Sequence, residues 1–171
     1  KPIALHIGVA ENKNLCRHAE ALRSLDIHLR IIGEPSDADH STLKQLGVEY
    51  STQSKLTDAE MQEAYATSDL LLFASTLEGF GMPILEAQMV GLPVITSHIA
   101  PMNEVAGDGA LLCDPFDVSN IRIGILKVLN NPDERKALGA IGWKNQLRFK
   151  PINAANMHWE LYTQVKILSS N

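Results

Sequence analysis

Two carboxylates, Glu78 and Glu86, flank a Gly79-Phe80-Gly81 turn in residues 75–96, S-T-L-E-G-F-G-M-P-I-L-E-A-Q-M-V-G-L-P-V-I-T. An apolar run from Leu70 to Phe73 leads into the turn, and a helix-shaped segment opening at Pro83 leaves it. Gly79 and Gly81 free the backbone for conformations closed to residues with a Cβ. Their N–H groups, with those of Met82 and Ile84 at the positive end of the helix, suit an anion. Glu78 can accept hydrogen bonds from sugar hydroxyls. Glu86, expected in the first helical turn, can accept from the vicinal hydroxyls of a ribose, as acidic residues do in dinucleotide folds. A ligand with both hydroxyls and phosphates fits this set, and a nucleotide-sugar has both.

Each feature also has a plainer reading. Gly-Phe-Gly serves equally as a tight strand-to-helix turn with Phe80 packed inward. Glu86 serves as a surface acid favoured by the helix dipole. Lys13, the one cation in the loop Gly8-Val-Ala-Glu-Asn-Lys-Asn14, is a candidate phosphate ligand, although a lone loop lysine is more often solvated. The loop is not a Walker A loop, because its second glycine is missing and Asn14 replaces Ser or Thr. Lys55 is in the same position. Glu104 either holds its loop against the glycine turn or is an ordinary acid at a helix start. His98 is the best-placed histidine for chemistry, but no second ligand stands at metal spacing. Asp37, Asp39 and His40 read as a solvated turn rather than a metal site.

The elements that must position these groups follow from pattern. Strands are expected at residues 3–7, 28–32, 48–50, 70–73, 93–96 and 110–113. Helices are expected from Leu15 to about Leu25, from Ser36 to Leu46, from Thr57 to about Ser68 and from Pro83 to Val90. Three more are expected from about Val118 to Leu129, from Pro132 onward, and over about 153–168. Thr57 and Glu60 form a capping box. The continuous apolar strand 70–73 is typical of a parallel strand buried on both faces. Alternating strands and helices imply an α/β, doubly wound parallel sheet of Rossmann-like type. The loops after its strands, at residues 8–14, 33–39, 51–56, 74–82 and 97–104, should share one rim.

The chain has 171 residues, room for one full hydrophobic core, and a net charge of −5 without a basic run. That balance argues against nucleic acid as a partner. No apolar stretch approaches the roughly 18 residues of a membrane span. Cys16 and Cys113 lie on apolar-patterned segments and read as buried free thiols, so a reducing cytoplasm is the default compartment. The start at Lys1-Pro2, directly before a strand, looks like a piece of a larger protein.

The segment E-G-F-G-M-P-I-L-E-A-Q-M-V-G-L-P-V-I-T-S, followed by N-E-V-A-G-D-G-A-L-L-C-D-P, resembles the C-terminal, donor-binding domain of retaining glycosyltransferases of the group 1 (family four) type, which have the two-domain GT-B fold. The front segment I-G-V-A-E-N-K-N-L-C-R-H-A-E-A-L and H-L-R-I-I-G also match that pattern. The closing helix with Trp159 and Tyr162 is similar to the one that crosses back toward the missing N-terminal domain.

The resemblance implies a role for each matching residue. Glu78 would hydrogen-bond the donor sugar, with the backbone of Gly79, Phe80 and Gly81 on sugar and phosphate. Met82 and Pro83 would line the diphosphate. Glu86 would hold the ribose, and Lys13, beside Gly8, would neutralise the leaving group. Lys55 and Leu56 would border the base. It implies no cofactor or metal, an acceptor domain elsewhere in the protein, and no appreciable transfer by this piece alone. Any membrane association, at the inner face, would belong to the missing half. Many members carry an arginine where this chain has Val9. Competing readings are a GT-B epimerase, a GT-B phosphorylase, or a non-catalytic α/β interaction domain. A phosphorylase would need a lysine for pyridoxal phosphate, and none falls between Lys55 and Lys127.

Overall fold

A computed structural model of the chain describes residues 1–153 together with Ala155, Trp159 and Tyr162. Strands β1 (Ile3–Ile7), β2 (His28–Ile32), β3 (Glu49–Gln53), β4 (Leu70–Phe73), β5 (Val94–Ser97) and β6 (Ala110–Cys113) form one parallel sheet in the order β3-β2-β1-β4-β5-β6. Helices α1 (Leu15–Leu22), α2 (Asp37–Gln45), α3 (Asp58–Ala66), α4 (Met82–Met89), α5 (Met102–Ala106), α6 (Val118–Asn130) and α7 (Pro132–Asn145) connect and cover it. This is the doubly wound arrangement expected from the alternation of elements. The helix expected over 153–168, and its packing toward another domain, lies largely outside the described residues.

The period-two pleat sorts the strand side chains between two cores. Leu70 and Leu72 of β4 face the core built with α1, α2 and α6. Leu71 and Phe73 face the other, built with α3, α4 and α5. Every residue of β4 is therefore buried, as its unbroken apolar run requires. Capping boxes start α2 (Ser36 with Asp39) and α3 (Thr57 with Glu60).

Two elements differ from expectation. Strand β3 runs to Gln53 rather than stopping at Tyr50, pairing residue for residue with β2. It is an edge strand with mostly exposed side chains, so it needs no apolar run to form. The loop after it consequently starts at Ser54. Residues 102–106, read as loop as far as Glu104, form the short helix α5, which Met102, Val105 and Ala106 bury against the sheet.

The interior also holds a feature that the spacing did not suggest. His6 of β1 and His18 of α1 are both buried, with their Nδ1 atoms 2.9 Å apart and their rings edge-to-face. Two neutral rings satisfy this contact only if one Nδ1 donates and the other accepts. Burial pushes the His6 ring down to about 4. The backbone at Gly8 and the charge of Asp39 oppose that shift, and the charge of Lys13 adds to it. Burial and the neighbouring His6 push His18 well down, against the backbone at Ala74.

The folded state therefore keeps both rings neutral where the unfolded chain protonates them, and stability must fall as pH drops below about 6.5. Each ring should contribute about 1.4 kcal/mol per pH unit, so urea midpoints should decline steadily between about pH 6.5 and 5. A flat profile over that interval would contradict the buried neutral pair.

Candidate active site

Strand order reverses between β1 and β4. The chain leaves β1 toward β2 on one side and leaves β4 toward β5 on the other, so the loops at their carboxyl ends diverge and leave a crevice. The β1 loop turns left-handed at Gly8 (φ 86), makes a 3₁₀ turn over Glu11–Lys13 and turns left-handed again at Asn14 (φ 65). The β4 loop spans residues 74–81 and ends at Gly81 (φ 103), which sits immediately before α4.

The two loops are laced together along their length. Asn14, 4% exposed, donates through Nδ2 to the carbonyls of Ala74 (2.9 Å) and of Pro115, in the loop after β6 (2.7 Å). The Thr76 N–H donates to the Asn12 carbonyl at 2.9 Å, and Asn12 Nδ2 donates to the Leu77 carbonyl at 2.7 Å. One residue further along each loop, Lys13 Nζ meets Glu78 Oε1 at 2.6 Å. The lysine stem lies across Gly8, where an added Cβ would come within 2.9 Å of its Cε. Its ammonium also lies 4.9 Å from the centre of the Phe73 ring. The side chains of Lys13 and Glu78 are only 21% and 11% exposed. The structure thus brings together the two residues expected to meet phosphate and sugar, and Lys13 is not a solvated loop residue.

Residues 1–144 match the family described as glycosyl transferases group 1. The chain belongs to that family. An O-antigen chain mannosyltransferase B of Escherichia coli is 37% identical over 92 residues, 54% of this chain and 24% of that protein. Sucrose-phosphate synthase from Thermosynechococcus elongatus superposes on 98% of this chain and 46% of its own, with a TM-score of 0.82 at 20% identity. The C-terminal domain of a glycosyl transferase group 1 family protein from Francisella tularensis covers 88% of this chain and 86% of its own (TM-score 0.73, 21% identity). The chain thus has the fold of a group 1 C-terminal domain and spans about a quarter of the mannosyltransferase it matches.

The remaining expected residues of this group 1 domain fall less uniformly. Helix α4 begins at Met82, not Pro83, and the Ile84 N–H is committed to the Gly81 carbonyl at 3.0 Å. Pro83 has no N–H, so of the expected donor pair only Met82 remains for an anion. Gly81 needs glycine for its left-handed backbone. Gly79 does not adopt that backbone, and a Cβ there would meet nothing within 4 Å. Phe80 is 41% exposed rather than packed inward, its ring edge-on to Phe149 with centroids 5.8 Å apart.

Glu86 is the fifth residue of α4, one residue deeper than expected and just outside the first turn, and accepts a hydrogen bond from the Tyr65 hydroxyl at 2.5 Å. Lys55 is exposed and left-handed (φ 56), and Leu56 is half-buried beside it. Val9, where many members have arginine, packs its methyls against Gly33, 2.9 Å from where a Cβ would stand.

The other candidates have plainer roles. Glu104 is an exposed acid in the first turn of α5, and among the described residues no hydrogen bond or ion pair ties it to the glycine turn. His98 turns both its N–H and its Nδ1 to the Cys113 carbonyl. Asp39 completes the α2 capping box and His40 bonds the Tyr50 hydroxyl, and no metal-binding group of three or more residues occurs among the described residues. Among those residues, too, no helix is long and apolar enough to cross a membrane. Cys113 is buried, which pushes its thiol up to about 12. Cys16 is exposed, contrary to expectation, because it sits on the outer side of α1 while Leu15, Ala19 and Leu22 face the core.

Sequence reasoning passed over Asn12 and Asn14 as lacing residues and Tyr65 as the partner of Glu86. The signal for Asn14 was its type, since asparagine tolerates left-handed backbone as few residues do. Asn14→Ala should cost about 2–4 kcal/mol, combining left-handed strain with two buried carbonyls left unpaired. Asn14→Gly removes the amide and not the backbone fit, so it should cost clearly less. Equal urea midpoints for the two variants would show that the backbone term is absent.

Proposed function

We propose that the crevice between the β1 and β4 loops binds a nucleotide-diphosphate sugar. On this reading the chain is the donor half of a retaining glycosyltransferase whose acceptor site lies in another domain. The observation that carries the proposal is the enclosed Lys13–Glu78 pair at the strand-order reversal, where α/β sheets bind their ligands. The family and its domain-level match supply the reaction class. The name of the E. coli relative favours a mannosyl donor.

The roles follow from the chemistry of each group. Without ligand, the Lys13 ammonium is neutralised by Glu78. A diphosphate entering over Gly8 and the Met82 N–H competes for that ammonium and releases Glu78 to accept hydroxyls of the transferred sugar. In the reaction the bond from sugar to diphosphate breaks, and Lys13 stabilises the charge that develops on the leaving diphosphate. Glu86 accepts from the ribose. Because an ammonium and backbone N–H groups, rather than an ion held by carboxylates, face the diphosphate, the reading calls for no metal, and titrations with and without magnesium should coincide. Transfer itself needs the acceptor domain, so the chain alone should bind donor without turning it over.

A titration panel of UDP, GDP and their sugar conjugates tests these roles. Glu86→Ala should weaken free nucleotide and nucleotide-sugar alike by about tenfold or more, the cost of a lost charged hydrogen bond of roughly 1.5–3 kcal/mol. Glu78→Ala should weaken only the sugar conjugate, and should leave free nucleotide bound as well or better because Lys13 loses its competitor. Lys13→Ala should weaken both. Nucleotide-sugar binding that is indifferent to all three changes would defeat the assignment.

A further inference from the structure

We propose that Tyr65 is a positioning residue for ribose recognition, its hydroxyl fixing one oxygen of the Glu86 carboxylate so that the other is presented to the nucleotide; this rests on the reading of Glu86 as the ribose acceptor. Glu86 stands beyond the first turn of α4, so the unpaired N–H groups of the helix start do not orient it. It accepts instead from the hydroxyl of Tyr65 in α3, the neighbouring helix on the same face of the sheet, with Oη 2.5 Å from Oε2.

Tyr65 is well built to hold a carboxylate. Its residue is 4% exposed and packed in the core with Leu5, Leu71, Phe73 and Leu85, so the ring cannot follow the carboxylate if it swings. Burial first, and then the neighbouring Glu86, push the phenol up, so it stays a proton donor throughout the working range. Glu86 and Tyr65 together form part of the wall of an open cavity of about 390 Å³ between α3 and α4, whose lining also includes Asp58, Met61 and Met89. A half-buried carboxylate with one oxygen committed has a defined second oxygen. An untethered one would sample several rotamers and give up orientation on binding.

The test uses the intact chain titrated with GDP and UDP and with their 2′,3′-dideoxy counterparts, in wild type, Tyr65→Phe, Glu86→Ala and the double variant. Phenylalanine keeps the buried ring and removes only the hydroxyl. Tyr65→Phe should weaken the ribonucleotides about three- to tenfold, leave the dideoxy nucleotides unchanged, and add nothing once Glu86 is alanine.

If Glu86→Ala weakens ribonucleotides and Tyr65→Phe does not, the proposal fails and the ribose assignment stands. If Tyr65→Phe weakens ribose and dideoxy ligands equally, or still acts in the Glu86→Ala background, the residue serves packing and the proposal is overturned. If Glu86→Ala leaves ribonucleotide binding untouched, or wild type binds neither nucleotide, the ribose reading itself falls and takes the proposal with it.

Discussion

The arrangement of the crevice depends on one side chain, the amide of Asn14. It sits in left-handed backbone at the junction of the β1 loop and α1, and its two N–H bonds reach the loops after β4 and β6. Three segments that are distant in sequence are thereby fixed at one buried point. Neutral amide hydrogen bonds add little net stability one by one, but a buried carbonyl left without a donor costs more. The amide is therefore a strong constraint on where the loops can go. Asn12 and Lys13 follow from it. Once Asn14 is pinned to Ala74, Asn12 lies beside Thr76 and Leu77, and Lys13 arrives at Glu78.

That lacing sets the character of the charged groups. A largely enclosed ion pair gains little net stability, because desolvation offsets most of the attraction. The Lys13–Glu78 pair is better understood as two charges held in place before a ligand arrives. Each neutralises the other until something with both negative charge and hydroxyls separates them. Glu86 is held on the same principle by a neutral donor, the Tyr65 hydroxyl. The two carboxylates that flank the glycine turn are thus both oriented, one by a cation and one by a phenol. Only the first partnership changes the charge that a diphosphate would meet.

Much of this was legible in the sequence where a local signal and a tertiary requirement coincide. The run Leu70–Phe73 is apolar because β4 is covered on both faces, and Thr57 with Glu60 caps α3 because the start of a helix needs those acceptors. Gly81 is glycine because its backbone is left-handed. The failures share a different cause. Strand β3 is an edge strand, so its polar residues carry no strand-like burial signal. Glu86 was placed in the first turn, one residue too early, because the proline at position 83 was taken as the helix start. The histidine pair and the Asn14 amide join residues whose proximity depends on the folded sheet, and no spacing announces such contacts.

Val9 shows how a single substitution redistributes work across the site. An arginine here would carry a second cation into the crevice. Valine instead turns its methyls onto Gly33, in the loop after β2, and ties the β1 loop to the sheet by packing. The loop therefore presents one ammonium, already half-committed to Glu78. On the proposed reading a diphosphate carries more negative charge than Lys13 alone offsets. The remainder must be met by backbone N–H groups at the glycine turn, of which Met82 is the one left free at the helix start, or by cations from a domain across the crevice. Closure of such a domain over the donor would then supply charge as well as the acceptor. That couples the arrival of the second substrate to stabilisation of the leaving group, a coupling that a site with its own arginine would not need.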